Sequence, residues 1–231
     1  MSKIRKRKGA DYGVTAAYNE TAHILVTTYS QLEKNTGKHY QVDYDTMLTK
    51  PNSLTNDDWI IVKLVQFFHE VELLYTSCSL FCTSDTCPMF NAGPQYMYFW
   101  DDVDAANPIQ VSAPEYFTNL KRFIKRNLQD PTIIPNKSGT PLDENQLNVI
   151  KACYRRLFRI LAHLYVCHFQ TISAIKDPDA VEVMNSILIR YTKFAIDQKL
   201  IEYDDVKMLN PVFQAINKEA GKDLCPKDTN E

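Results

Sequence analysis

The chain has 231 residues, 45% hydrophobic and 23% charged, enough apolar content for one substantial core and too much for a disordered chain. Its formal net charge of −2 excludes a globally basic nucleic-acid binder, so electrostatic recognition has to come from a local patch. No stretch approaches the roughly 18–20 consecutive apolar residues of a membrane-crossing helix, so no membrane insertion is expected.

The start, Met1-Ser2-Lys3-Ile4-Arg5-Lys6-Arg7-Lys8, is basic, but no apolar run follows it, so it is not a secretory signal. Residues 1–20 read as a flexible basic arm, and the chain reads as cytoplasmic, with the nucleus open to it through that basic start. Residues 21–50 mix β-branched and polar side chains without a clear period. From residue 54 the pattern sharpens. Thr55 or Asn56 can cap a helix with Asp57 and Asp58 in its first turn, and Trp59, Ile60, Leu64, Phe67, Phe68, Val71, Leu74 and Tyr75 recur at helical spacing.

Tyr96, Tyr98 and Trp100 then alternate at period two. The acidic turn Asp101-Asp102-Val103-Asp104 and the run Ile109 to Val111 follow, a pattern that predicts a short β-hairpin. A helix resumes near Pro114, with Tyr116, Phe117, Leu120, Phe123, Ile124 and Leu128 on its buried face. Pro131, Pro135, Gly139 and Pro141 break the chain, and helices follow over about 144–174, 179–198 and 203–218, the last interrupted or kinked at Pro211. The expected fold is all-α: a helical bundle with a four-helix core, extra helices and one short hairpin over residues 21–218, then a tail over 219–231.

Six cysteines without a secretory signal point to metal sooner than to disulfides. Cys82 and Cys87 form Cys-x4-Cys, and His163 and His168 form His-x4-His, together a complete tetrahedral donor set for a structural zinc ion. Residues five apart on a helix differ in direction by about 140°, so the histidines must converge through divergent rotamers or a local π-bulge. Cys167 and Cys78 are rival ligands, and ordinary buried cysteines with core histidines are the blander alternative.

Between Asn145 and Lys176 there is no Asp or Glu, yet Lys151, Arg155, Arg156 and Arg159 fall there. Spacings of three and four bring the arginines to one side of a helix, where they could grip a phosphate or simply form a solvated face. Lys121, Arg122, Lys125 and Arg126 could extend the patch if their helix lies alongside. The six glycines are scattered, so no phosphate-cradling loop exists. No His-Glu-x-x-His or nucleophile-elbow pattern occurs, and His69 beside Glu70 and Glu72 reads as an exposed helix face, so the chain reads as a non-enzyme.

These residues together resemble the Mob (Mps-one-binder) family of kinase co-activators. The resemblance rests on Asp58-Trp59-Ile60, Phe81-Cys82 to Cys87-Pro88, and Ala92-Gly93-Pro94 with Tyr96, Tyr98 and Trp100. It continues through Ser112-Ala113-Pro114, Ile134-Pro135, Arg155-Arg156-Leu157-Phe158-Arg159, Ala162-His163 and His168-Phe169, covering about residues 54–216. It is closer to the kinase-activating branch than to the phocein branch. The resemblance implies a structural zinc held by Cys82, Cys87, His163 and His168. It also implies a pocket of Arg155, Arg156 and Arg159 that docks phosphothreonine peptides of upstream Ste20-like kinases or scaffolds. The partner it implies is an AGC kinase of the NDR/LATS class, held through acidic residues around the first long helix: Asp58 is retained, Leu54 and Gln66 stand where acids are usual, and Asp57, Glu70 and Glu72 are the acids that could compensate. The alternatives are a phocein-like scaffold subunit without kinase activation and a zinc-dependent hydrolase. Nucleic acid is not an expected partner.

Overall fold

The computed structural model describes residues 37–101, 108–174 and 179–227; the expected basic arm (1–20) and the tip of the expected hairpin (102–107) lie outside them. After a four-residue helix α1 (Tyr44–Met47), capped by the Asp43 carboxylate, the chain enters α2 (Asn56–Cys78). Thr55 and Asp58 start α2 with reciprocal side-chain-to-backbone bonds, which satisfies two donors that a helix start leaves open. Helix α3 (Ala113–Gln129) begins at the Ser112 cap with Pro114 in its first turn, and α4 (Glu144–Ser173) begins at a second such box, Asp143 with Gln146. Helix α5 (Ala180–Asp197) follows.

The expected kink at Pro211 falls slightly earlier. A short α6 (Tyr203–Val206) tightens into a 3-10 turn over Lys207–Leu209, and α7 (Asn210–Ala220) starts with Pro211 in its first turn. A proline ring clashes with the carbonyl four residues before it, here that of Lys207, and has no N–H to offer it. The break therefore lies on the N-terminal side of the proline.

Helix α4 is the axis of the bundle, with α2, α3 and α5 packed on it. Every residue from Ile160 to Phe169 is buried, so this stretch is enclosed on all sides, as a helix without a solvent face must be. The polar tips of its aromatic side chains are satisfied across the bundle. Tyr154 Oη donates to the Ile60 carbonyl (2.9 Å) and Tyr165 Oη to Asn185 Oδ1 (2.7 Å). Phe67 of α2 meets Tyr191 of α5 edge to face at 5.0 Å, with both rings fully buried. No helix among the described residues is long and apolar enough to cross a membrane.

Among the described residues the expected β-hairpin forms no ladder; they carry only two isolated bridges, Asn91 with Met97 and Trp100 with Ile109. Trp100 and Ile109 exchange both backbone bonds at 2.8 Å, so an antiparallel ladder would continue at Tyr98 and Val111. Phe90 intervenes there. Its N–H donates to the Val111 carbonyl (2.9 Å) and its carbonyl accepts from Tyr98 N–H (3.0 Å), which takes the two groups the ladder needs. Phe90 is fully buried and stacks on Tyr116 at 3.9 Å, so packing against α3 holds it in place.

Candidate metal centre and arginine surface

Cys82 and Cys87 lie in the loop after α2. Cys82 N–H still closes a helical turn onto the Cys78 carbonyl (2.9 Å), and Cys87 N–H bonds the Thr83 carbonyl (2.8 Å). Thr83 and Thr86 cross-bond each other's backbone N–H through their hydroxyls (2.9 and 3.2 Å), and Ala113 N–H ties the Cys87 carbonyl to the start of α3 (3.0 Å). This loop sets both sulfurs against the middle of α4. Cys82 Sγ is 3.4 Å from His163 Nε2, Cys87 Sγ is 3.4 Å from His168 Nε2, and the two Nε2 atoms are 3.2 Å apart.

All four donor atoms lie within 4.8 Å of one another, and all four side chains are buried. A tetrahedral ion with bonds of about 2.0–2.1 Å to nitrogen and about 2.3 Å to sulfur has edges of roughly 3.3–3.8 Å. The donors fit a metal ion, and the cluster can hold one. Helix α4 remains α-helical through both histidines, so no π-bulge is needed; the rings converge from different directions, with planes at 67° and centroids 5.0 Å apart.

The binding atom of His163 is also set. His163 Nδ1 lies 2.7 Å from the Asn91 carbonyl, which can only accept, so Nδ1 carries a hydrogen and Nε2 is the atom left to bind a metal in the cluster. Asn91 is missing from the sequence reading because it acts through its backbone, and a carbonyl has no sequence signature. The thiols are tightly coupled. A hydrogen bond from Cys82, helped by both histidines, holds the Cys87 thiol far below its ordinary range, while the same bond and burial push Cys82 up. Cys167 turns its sulfur to Asn91 (3.6 Å to Oδ1) and Cys78 its sulfur to Ser77 Oγ (3.8 Å), so neither joins the set. Four protein donors would complete a tetrahedral sphere and leave no place for an activated water.

The three arginines on α4 have unequal surroundings. Arg156 lies between two aromatic faces, 4.5 Å from the Trp100 ring and 4.3 Å from the Phe123 ring, and donates from Nη2 to the Asp101 carbonyl (2.6 Å). Its Nη1 is buried with no acceptor, and burial lowers its hold on the proton. Arg159 lies 5.1 Å from the Tyr98 ring and donates to Tyr116 Oη (3.2 Å). Arg155 is half-buried and makes no hydrogen bond or ion pair among the described residues. The aromatic partners come from two other segments of chain, the Tyr98–Trp100 stretch and α3, which is why helical spacing alone could not separate the arginines.

The acids on α2 are engaged within the fold. Asp58 accepts from the Thr55 hydroxyl (2.8 Å), Ser138 Oγ (3.0 Å) and Gly139 N–H (3.0 Å), and Asp57 accepts from Leu142 N–H (2.9 Å). Together they fasten the proline-broken segment before α4 to the start of α2, and Gly139 supplies the positive φ of 81° at that contact. Glu70 pairs with Arg190 of α5 at 2.8 Å and accepts from Gln66 (2.9 Å), the position where an acid was expected. On the outer face of the same helix, Val62 and Leu73 are exposed in line with Gln66 and His69.

A model of the Mob1/phocein family matches residues 35–209. Among similar proteins, "MOB kinase activator-like 1A" of Arabidopsis thaliana is 37% identical over 161 residues, which is 69% of this chain and 74% of that protein. "MOB kinase activator-like 1 homolog A" of Dictyostelium discoideum is 32% identical over 163 residues, 70% of this chain and 75% of its own length. "MOB kinase activator-like 1 homolog C" of the same organism is 34% identical over 184 residues, covering 79% and 82%. With this match extending across the four long helices, the metal cluster and the arginine surface, the chain belongs to the Mob1/phocein family.

Proposed function

We propose that this protein is a non-catalytic adaptor that co-activates a protein kinase of the NDR/LATS class and docks phosphothreonine peptides of a Ste20-like kinase or scaffold. The observation that carries the reading is family membership, with relatives named kinase activators along most of the chain. The arginine surface supports the phosphopeptide half: Arg155 makes no hydrogen bond or ion pair among the described residues and Arg156 keeps an unspent buried donor, which suits a phosphate's several acceptor oxygens. For the kinase half, Val62 and Leu73, 45% and 72% exposed, give the outer face of α2 two apolar points on either side of Gln66 and His69. Asp57 and Asp58 stand at one end of that helix, and Glu70 is paired with Arg190. An amphipathic, basic helical segment beside a kinase domain has the matching chemistry.

The metal in this reading is zinc, which prefers a tetrahedral thiolate and imidazole set and carries no redox chemistry of its own. The ion would hold the loop after α2 against α4 and so keep the arginine surface and the outer face of α2 on one rigid body. Binding the regulatory segment of the kinase shifts it towards its active arrangement, and the docked phosphopeptide raises the local concentration of the upstream kinase. The test is the activity of an NDR/LATS-class kinase with the protein added at saturating concentration. Stimulation that is reduced by Val62→Glu supports co-activation; binding without stimulation turns the protein into a scaffold and refutes it.

A further inference from the structure

Helix α3 carries Lys121, Arg122, Lys125 and Arg126, and no Asp or Glu between Tyr116 and Gln129. Its core face is Tyr116, Leu120, Phe123 and Ile124. At 100° per residue, Lys121 falls on the flank beside α2, where it pairs with Glu72 (3.6 Å) and covers the Phe117 ring (5.0 Å). Arg122 and Arg126, one turn apart, fall on the opposite flank beside Phe123, with both side chains exposed. Lys125 projects outward between the two flanks.

Phe123 joins this flank to α4. Its ring centroid lies 4.3 Å from the Arg156 guanidinium and 5.9 Å from that of Arg126, so the two guanidiniums are at most about 10 Å apart. A line of arginines therefore runs from Arg155, Arg159 and Arg156, with Asp101 beside Arg156, over the Trp100 and Phe123 rings to Arg126 and Arg122. Arg122 makes no ion pair among the described residues; its one bond is to Asn119 Oδ1 (3.3 Å). Glu115, the one acid of the helix, sits seven residues before Arg122, about 10 Å along the axis.

The geometry points to a second recognition site continuous with the arginine pocket: Arg122 and Arg126 pair with acidic side chains of the docked peptide. This rests on the phosphopeptide reading above and narrows its ligand class. An extended peptide advances about 3.3 Å per residue, so a carboxylate about three to five residues from the phosphothreonine reaches this pair. Arginine offers a flat fork that matches a carboxylate in two parallel hydrogen bonds. A duplex nucleic acid fits less well, since its binding draws on many phosphate contacts and this line is short on a chain of net charge −2.

The test is fluorescence polarisation with two phosphothreonine peptides that carry either Ala or Asp/Glu at the third to fifth positions on both sides of the phosphothreonine. The acidic peptide binds roughly 2- to 30-fold tighter, the range for two exposed charge pairs. In the double variant Arg122→Glu, Arg126→Glu the preference reverses, while the Ala peptide stays within about twofold of its original affinity and the thermal melt is unchanged. Equal binding of the two peptides overturns the inference and leaves the phosphopeptide reading standing. Failure of both peptides to bind overturns both. Duplex DNA or phosphatidylserine vesicles that bind through Arg122 and Arg126, with the acidic peptide unaffected by the double variant, also overturn it, in favour of a polyanion surface.

Discussion

Replacing Arg156 with Ala tests whether the surface arginines also hold the fold together. The guanidinium faces two rings at 4.5 and 4.3 Å, contacts worth about 0.5–1 kcal/mol each, and makes one charge-assisted hydrogen bond to the Asp101 carbonyl, worth about 1.5 kcal/mol at a partly exposed site. Against this stands the buried, unpaired Nη1, whose removal returns about 1 kcal/mol. The net expected loss is about 2 kcal/mol, which in a domain of this size lowers Tm by about 4–8 °C. Arg155→Ala removes no hydrogen bond or ion pair among the described residues and should change stability by less than about 0.5 kcal/mol. Circular-dichroism melts of the two variants and the parent, without peptide, measure the difference. Arg156→Lys should recover only part of the loss, because an ammonium cannot lie flat between two rings. Equal melting shifts for Arg155→Ala and Arg156→Ala, or full recovery by lysine, would refute the reasoning.

Removing the metal by chelation, or substituting Cys87→Ser, should lower stability by more than about 3 kcal/mol, since metal binding to such a cluster is folding free energy. Cys167→Ser should keep the metal, because its sulfur faces Asn91; elemental analysis beside thermal melts separates the two, and metal loss from Cys167→Ser would contradict the donor set. Hydrogen bonds from the Thr55 side chain and Gly139 N–H hold the Asp58 carboxyl below its usual 3.8. A depressed folded value contributes stability that is present above pH 3.8 and lost as pH falls through the lower folded value. Asp58→Asn should flatten the acid side of a urea-midpoint profile between about pH 5 and pH 3, and an unchanged slope would contradict the clamp on the 138–142 segment.

The metal centre was legible because its ligands come as two short pairs, and thiolate and imidazole in that combination have few other uses. Whether His163 and His168 could converge was not legible, because it depends on ring directions that spacing does not carry. The long helices were readable from the period of residues such as Leu64, Phe67, Phe68 and Val71, and two of their starts from Thr55 and Pro114, whereas the Ser112 and Asp143 caps emerge only from the structure. The alternation of Tyr96, Tyr98 and Trp100 misled, because the ladder it suggests is intercepted by Phe90, a residue outside the pattern. The acids of α2 posed a similar difficulty. Nothing in the local sequence shows that Asp57 and Asp58 fasten a segment more than 80 residues away, or that Glu70 pairs with an arginine 120 residues on.

Calorimetric titration of the purified protein with the N-terminal regulatory segment of an NDR/LATS-class kinase from the same organism tests the central claim most directly. Co-activation by binding predicts saturable one-to-one association that Val62→Glu weakens at unchanged thermal stability. No heat of binding with any kinase of that class would contradict it and leave the arginine surface as the main interaction site.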